Sequence, residues 1–221
     1  LLVALYKWLA SQRRRFSYRF IFVPETIGAI AYISKNLDAL RAKTYAGYVV
    51  TCVGDDRTVS FLPSRQGDSI TDRISRHVLR YHAPEFREYS FLDRGSDERQ
   101  YCAPGVDLPV ASIMRSKYGE YPEYHTSADN LDLVSPQGLQ KAFALYCLCL
   151  NALEANRVYQ VTTCCEPQLG KRGLYPTLSM KGSAGDVRVY MNMLAYADGE
   201  HDLVDIAEII GVPVDELLPL V

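Results

Sequence analysis

A short apolar run between two polar loops constrains the fold of this chain more than any other feature. Residues 108–114 are mostly apolar and are typical of a buried β-strand. Polar residues crowd residues 95–101 before this run and residues 124–132 after it. Because binding sites of α/β proteins lie at the loop ends of the sheet, we expect these two loops to form one wall of a functional site.

Alternating strand-like and helix-like segments predict an α/β fold with a mixed sheet and helices on both faces. The strand-like runs are residues 20–23, 45–53, 58–62, 86–92 and 108–114. The helix-like segments are residues 1–12, residues 28–33, a helix that Asp68 caps and residues 136–155. The last of these has Ser135 as its N-cap and Pro136 at its first position, which is a frequent helix start. We expect residues 58–62 to pair with residues 45–53 as a hairpin.

Glu25 lies where an apolar run gives way to a helix. The run at residues 20–23 stops at Pro24, and a helical pattern continues from Gly28. This order predicts that Glu25 lies in the first turn of the helix, where the helix dipole stabilises a carboxylate. Glu25 is therefore either a candidate catalytic group or a surface glutamate that the dipole favours.

Composition and charge argue against several classes of protein. The formal net charge of −2 gives no reason to expect nucleic acid as a partner, and no apolar run is long enough to span a membrane. The first residues lack the features of a signal peptide, and the six cysteines lack the spacing of a disulfide framework. We therefore expect a cytoplasmic protein with reduced thiols. The chain opens inside a helix without an initiator Met, so we expect that an upstream part of the natural protein is missing.

The C-terminal part of the sequence predicts a second, smaller module. We assign residues 1–160 to the α/β domain and residues 184–221 to a helix-turn-helix module. Residues 161–183 are either a loop that returns over the site or a plain linker. No Lys or Arg follows Arg188, whereas seven acidic residues do. Because phosphate contacts supply most non-specific DNA affinity, we expect this apolar and acidic module to pack or to form a homo-oligomer.

The order of the polar motifs resembles the zinc aminopeptidases of the bacterial leucyl aminopeptidase and glutaminyl cyclase type. Residues 22–28 are similar to the Glu-Glu-x-Gly turn of those families, and residues 95–98 to their Ser-Asp-His loop. Residues 124–131 are similar to their Tyr-His-Thr-x-x-Asp segment, which is the most specific of the three motifs.

A closer resemblance is to a bacterial aminopeptidase-like family in which the peptidase domain precedes a small winged-helix-like domain. The segments that carry it are residues 24–28, 95–101, 119–133 and 166–176. It covers most of the chain. It implies a three-layer α/β/α core over about residues 1–160, followed by a winged-helix-like module.

The resemblance also implies a hydrolytic site with one zinc ion. Glu25 matches the general base and His125 matches a metal ligand, whereas Thr26 replaces a ligand glutamate of the family. A further family ligand, an aspartate, falls near Thr51 or Cys52. The remaining ligands would precede residue 1. The implied reaction is the hydrolysis of a peptide or small amide, in which Glu25 takes the proton of a zinc-bound water.

Residue type and position add further candidates around this site. The candidate substrate-binding residues are Arg99, Tyr101, Arg115, Lys171 and Arg172, and the candidate supporting carboxylates are Asp97 and Asp129. An arginine could bind a substrate carboxylate through two hydrogen bonds. A salt bridge inside the fold is the alternative for each charged candidate.

Three functions stay open on this reading. The first is a zinc-dependent aminopeptidase or a related amide hydrolase. The second is a catalytically inactive relative that serves as a binding or assembly protein, which Thr26 favours. The third is a DNA-binding regulator, which the acidic C-terminal module disfavours.

Overall fold

The computed structural model describes residues 1–173 and 183–221, and these form two compact units. The first unit comprises Leu1–Leu150 and the second comprises Asn151–Val221. The boundaries predicted at residues 160 and 183 both fall within the second unit. Among the described residues, no helix combines the length and the apolar character that crossing a bilayer requires.

The first unit is built on a mixed four-stranded sheet. Its strands are β1 (Gly47–Tyr48), β2 (Ser60–Leu62), β3 (Arg87–Glu88) and β4 (Val110–Met114), in the spatial order β1-β4-β2-β3. Strand β4 is parallel to β1 and antiparallel to β2, while β2 is parallel to β3. Every residue of β4 is buried. The strand predicted at residues 108–114 is therefore confirmed, and it lies inside the sheet.

Five α-helices begin in the first unit, the last of them running past its end at Leu150, and their starts follow local chemistry. They are α1 (Leu2–Ala10), α2 (Ile27–Lys43), α3 (Ile70–His82), α4 (Glu98–Tyr101) and α5 (Pro136–Ala155). Helix α5 begins as predicted, because the hydroxyl of Ser135 accepts the N–H of Gly138 at 2.9 Å. Helix α3 does not, because Ser69 rather than Asp68 caps it. The hydroxyl of Ser69 and the carboxylate of Asp72 each accept the other's N–H, and this exchange satisfies two N–H groups at once.

Two strand predictions are wrong for reasons of pairing. Residues 20–23 are irregular, and Phe22 is 67% exposed. None of the described strands pairs with this segment, and an apolar run becomes a strand only where a neighbour satisfies its backbone groups. The predicted hairpin is also absent, because β4 lies between β1 and β2. Pairing on both sides buries β4 completely, which a local hairpin would not achieve.

Helix α5 lies directly against the turn that follows β1. A Cβ atom added to Gly138 would overlap the backbone oxygens of Gly54 and Asp55. The N–H of Ser135 donates to the carbonyl of Gly54 at 2.9 Å. The start of this helix and the turn at residues 54–55 therefore touch through backbone atoms, with no room for a side chain.

The second unit combines a two-stranded ribbon with short helices. Strand β5 (Val158–Gln160) pairs antiparallel with β6 (Asp198–Asp202). The helices are α6 (Ser183–Tyr196), α7 (Leu203–Ile210) and α8 (Val214–Leu217), and single 3-10 turns lie at Leu169–Arg172 and Leu218–Leu220. Helix α7 ends at Gly211, whose φ of 72° is left-handed, and α8 follows after two residues. The predicted helix-turn-helix is confirmed, whereas β6 was missed because its five residues carry no apolar side chain.

Candidate functional site

The loops that follow β1 and β4 meet at one edge of the sheet. The two strands are parallel, so their carboxyl ends lie at the same edge. Beyond them, the N–H of Arg115 donates to the carbonyl of Cys52 at 2.7 Å. The expectation that polar loops gather at the end of this apolar strand agrees with the position of residues 115–129.

Glu25 lies in a turn that a distant segment holds in place. Its neighbour Thr26 has a φ of 61°, which is unusual for a β-branched residue. The N–H of Thr26 donates to Asp97 Oδ1 at 2.7 Å, and Arg99 donates to the Thr26 hydroxyl at 2.6 Å. Thr26 is the N-cap of α2, so Glu25 precedes the helix instead of lying in its first turn. It is exposed beside Asp97 and Arg99.

The charges around Asp97 show which groups lie near one another. Burial raises the pKa of the Asp97 carboxyl, and the negative charges of Glu25 and Glu98 raise it further. The hydrogen bond from Thr26 and the positive charge of Arg99 act in the opposite direction. Two candidates from sequence, Glu25 and Asp97, are therefore close enough to interact electrostatically.

A fully buried glutamate fixes the segment that carries Asp97 and Arg99. Glu98 Oε1 accepts the N–H of Gly95 at 2.8 Å, the N–H of Ser96 at 3.0 Å and the hydroxyl of Tyr118 at 2.6 Å. Its second oxygen, Oε2, is buried without a hydrogen-bond partner among the described residues. Sequence reasoning missed Glu98 and Tyr118, because nothing in the pattern indicates that this glutamate points inward.

The His125 loop is organised by aromatic contacts. His125 has a φ of 58°, and its imidazole stacks on Tyr124 with ring centroids 3.9 Å apart. The Tyr124 ring in turn lies edge-on to Tyr121, 5.6 Å away. The Tyr121 hydroxyl donates to Asp129 at 3.4 Å and contacts Cys52 Sγ at 3.8 Å. The supporting carboxylate predicted at residue 129 therefore bonds to Tyr121.

Tyr124 connects the two halves of the site. Burial raises the pKa of its hydroxyl, and the charges of Cys52 and Glu25 raise it further, whereas Arg99 lowers it. The Tyr124 side chain is thus within electrostatic range of the Glu25 turn as well as of the His125 loop. The charge of Glu25 therefore acts on the ring that stacks on His125.

Strained backbone is concentrated at this region. Five described residues other than glycine have a positive φ, and Thr26, Cys52 and His125 are three of them. Such conformations cost on the order of 1–3 kcal/mol each and persist only where the surroundings enforce them. Their clustering supports a functional role for this edge of the sheet.

The predicted substrate-binding residues are dispersed. Tyr101 is buried in the apolar core beside α2, where burial raises its pKa to about 12. Arg115 is also buried and donates to the carbonyl of Asp55 at 2.9 Å and to Asp56 at 3.2 Å. These two residues therefore have structural partners, and a role in substrate binding stays a prediction.

Arg99, Lys171 and Arg172 are the exposed cations among the candidates. Arg99 lies at the Glu25 turn, where it bonds to Thr26. Lys171 and Arg172 end a 3-10 turn of the second unit, and the segment that follows them, residues 174–182, lies outside the described residues. Their predicted return over the site therefore stays a prediction.

The described residues do not complete a zinc site. A catalytic zinc takes about three protein ligands. Within residues 1–173 and 183–221, no three His, Cys, Asp or Glu side chains come together in a way that could hold a metal ion. His125 is exposed at the site, and Thr26 offers a hydroxyl that already accepts a hydrogen bond.

Comparison with known proteins identifies the family. A model described as a domain of unknown function, DUF4910, matches residues 1–156. The chain belongs to the DUF4910 family. A second model, described as winged helix-turn-helix, matches residues 157–221. For this DUF4910 chain, the expected pairing of an aminopeptidase-like domain with a C-terminal winged-helix domain is confirmed.

Two relatives from Clostridium acetobutylicum resemble this DUF4910 chain over most of its length. One is provisionally named a polysaccharide biosynthesis protein with an aminopeptidase-like domain, and it is 40% identical over 94% of this chain and 48% of its own. The other is a crystal structure provisionally described as a peptidase, with a TM-score of 0.88 and 36% identity over 99% of this chain and 49% of its own. The chain spans about half the length of both.

A more distant structure, an aminopeptidase from Aneurinibacillus sp. strain AM-1, is 18% identical. It has a TM-score of 0.47 over 58% of this chain and 30% of its own.

Proposed function

We propose that this chain carries the general base and one metal ligand of a zinc-dependent aminopeptidase or related amide hydrolase. The observation that carries the proposal is the strained Glu25 turn, which Asp97 and Arg99 hold within electrostatic range of Tyr124, the ring on which His125 stacks. The peptidase-like descriptions of the two Clostridium acetobutylicum relatives support the same reaction class.

In this proposal Glu25 does the proton transfer. Its exposed carboxylate accepts a proton from the attacking water and delivers it to the leaving amine, a role that side-chain carboxylates fill in many hydrolases. Asp97 and Arg99 hold the turn, so the carboxylate is positioned before substrate binds. A pre-positioned base avoids the entropic cost of ordering a mobile side chain.

When bound, zinc would polarise the substrate carbonyl and lower the pKa of a bound water. His125 is the ligand that we assign to it among the described residues, and the other ligands would come from outside them. The substrate would be a peptide or small amide. Arg99 bonds to Thr26, the neighbour of the proposed base, and it could hold a substrate carboxylate, with Lys171 and Arg172 as further candidates.

Substituting Glu25 tests the proposal in the complete natural polypeptide. We expect Glu25→Gln to lower the rate of hydrolysis of aminoacyl p-nitroanilides by about 10²–10⁴-fold, because a general base contributes a factor of that size. Zinc content, measured by elemental analysis, should not change. Asp38→Asn is the matched control, since Asp38 is an exposed carboxylate further along α2.

The same measurements separate a second candidate function. An inactive binding or assembly protein is favoured by the incomplete ligand set and by Thr26 at a ligand position. If the complete polypeptide holds no zinc and hydrolyses no amide, this second function replaces the first. If Glu25→Gln leaves hydrolysis intact, the assignment of the base is wrong.

We also propose that the winged-helix unit contacts other protein chains instead of DNA. Its wing-like strand, Asp198–Asp202, carries three acidic residues, and no Lys or Arg follows Arg188. Such a surface repels phosphates. A homo-oligomer held by this unit is our expectation, in the cytoplasm and away from membranes.

A further inference from the structure

Cys52 occupies an unusual place at the edge of the sheet. It follows β1 with a left-handed φ of 47°, and the N–H of Arg115 holds its carbonyl at 2.7 Å. Its half-buried side chain packs against the apolar cluster that includes Met114 and Tyr118. Backbone and side chain are therefore both fixed, which is unusual for a residue in a loop.

The chemistry of this thiol suits hydrogen bonding better than nucleophilic attack. Burial raises the pKa of Cys52, and the thiolate is the reactive form of a cysteine. The Tyr121 hydroxyl lies 3.8 Å from Cys52 Sγ and 3.4 Å from the Asp129 carboxylate, so both residues hold this hydroxyl. Cys52 therefore restrains the Tyr121 side chain.

A second contact anchors the same loop from the same side. Arg57 donates two hydrogen bonds to the Glu123 carboxylate, at 2.8 Å and 2.6 Å. Cys52 and Arg57 both belong to the segment after β1, and both hold residues that shortly precede His125. The His125 loop thus rests on residues 52–57 at two points.

We propose that Cys52 is a positioning residue for His125, acting through the ring contacts of Tyr121 and Tyr124. The thiol holds the Tyr121 hydroxyl, Tyr121 packs on the edge of Tyr124, and the His125 imidazole stacks on Tyr124. The positioning itself is a structural property. Its effect on catalysis rests on the proposed function, in which His125 binds zinc.

The position of the His125 ring can be observed directly by NMR. A ring stacked on Tyr124 is shifted upfield by the aromatic ring current. The chain has four histidines, so the signal can be assigned with His125→Gln. We expect Cys52→Ala to move the His125 ring signals towards those of an unstacked imidazole, and Cys52→Ser to restore them in part because a hydroxyl can still form a hydrogen bond with Tyr121. Cys147→Ala is the matched control, since Cys147 is a half-buried cysteine on α5.

Activity of the complete polypeptide gives the second readout. Removing a group that orients a metal ligand typically costs about 10–100-fold in metal affinity or activity. We expect a loss at the low end of this range for Cys52→Ala, with partial rescue by Cys52→Ser. Tyr121→Phe keeps the ring and removes the hydroxyl, so it should shift the His125 signals in the same direction even if Cys52→Ala does not fold.

The outcomes separate this inference from the proposed function. Unchanged His125 signals in folded Cys52→Ala, or in Tyr121→Phe, would overturn the positioning role. Shifted signals in a protein that hydrolyses no amide would sustain the positioning role and reject the hydrolase. A loss of activity in Cys147→Ala equal to that in Cys52→Ala would reduce the effect to a general loss of packing.

Discussion

The two polar loops of the site are held by different physics. Residues 95–101 surround Glu98, whose buried carboxylate accepts three hydrogen bonds. Residues 121–132 are mostly exposed, with Leu131 88% accessible, and the Arg57–Glu123 ion pair and stacked rings hold them. A buried carboxylate is costly to remove because the donors paired with it would lose their acceptor, whereas water and salt compete with an exposed ion pair. We therefore expect the first loop to keep its conformation when solvent conditions change, and the stability of the second loop to depend on pH and salt.

The largest effect should come from the centre of the first loop. Glu98→Ala leaves the N–H of Ser96 and the hydroxyl of Tyr118 without their buried acceptor, whereas the N–H of Gly95 keeps the Tyr118 hydroxyl as an acceptor. Each such group costs roughly 1–3 kcal/mol, so we expect the free energy of unfolding to fall by about 3 kcal/mol or more. Trp8 is the single tryptophan and contacts Phe143 in the same unit, so its fluorescence in urea reports this unfolding.

The control for this comparison is Glu120→Ala, because Glu120 is an exposed glutamate outside both loops. A loss below about 1 kcal/mol in Glu98→Ala, within the range of ordinary surface changes, would mean that this carboxylate does not hold the first loop.

A smaller effect should follow from removing one donor to that carboxylate. Tyr118→Phe keeps the packed ring but removes the hydroxyl that donates to Glu98 at 2.6 Å and accepts the N–H of Gly95 at 2.8 Å. Hydrogen bonds to charged groups contribute about 1.5–3 kcal/mol, so we expect a loss near the lower figure. The same urea titration measures it, with Tyr6→Phe at an exposed position as the control. A loss as large as that of Glu98→Ala would show that the Tyr118 hydroxyl, rather than the carboxylate as a whole, holds the loop.

The smallest effect should come from the exposed loop, and it should depend on pH. The hydrogen bonds and charge of Arg57 lower the pKa of Glu123 to about 2, from an ordinary value of 4.5. A carboxyl with a lowered folded pKa stabilises the fold above its unfolded pKa and loses that contribution as pH falls through the folded value. The gap in urea midpoint between wild type and Glu123→Gln should therefore be small at pH 7 and vanish between about pH 4.5 and pH 2.

Salt provides the cross-check on this last expectation. The same gap should narrow at pH 7 when the ionic strength is raised to about 1 M, where the screening length is about 3 Å. If the difference in urea midpoint changed with neither pH nor salt, Glu123 would belong, like Glu98, to a loop that solvent conditions do not affect.

Sequence reasoning succeeded where the signal was local. The start of α5 at Pro136, the buried strand at residues 110–114 and the turn at Gly211 each follow from neighbouring residues. The fold class followed from the alternation of such elements. Asp68 failed as a cap only because Ser69 offers a reciprocal partner one residue later.

The construction of the site could not be predicted in this way. Thr26 meets Asp97 across 71 residues of sequence, and Cys52 meets Tyr121 across 69. A threonine or a cysteine in a sequence does not indicate a left-handed backbone conformation, because tertiary contacts enforce that conformation. Motif resemblance proposed Glu25 and His125 as site residues, and it placed a family ligand near Cys52, but it indicated neither the buried Glu98 carboxylate nor the contact of Cys52 with Tyr121.

The absence of a side chain at Gly138 has a consequence for how mutations in this chain should be interpreted. Because the backbone oxygens of residues 54 and 55 occupy the space where a side chain would begin, any larger residue there must displace the turn that lies between Cys52 and Arg57. Through this turn, the residue at position 138 is linked to the loop that carries His125. A variant at position 138 would lie far from Glu25 and His125 on the α5 helix, yet it would displace the turn that lies between two residues holding the His125 loop.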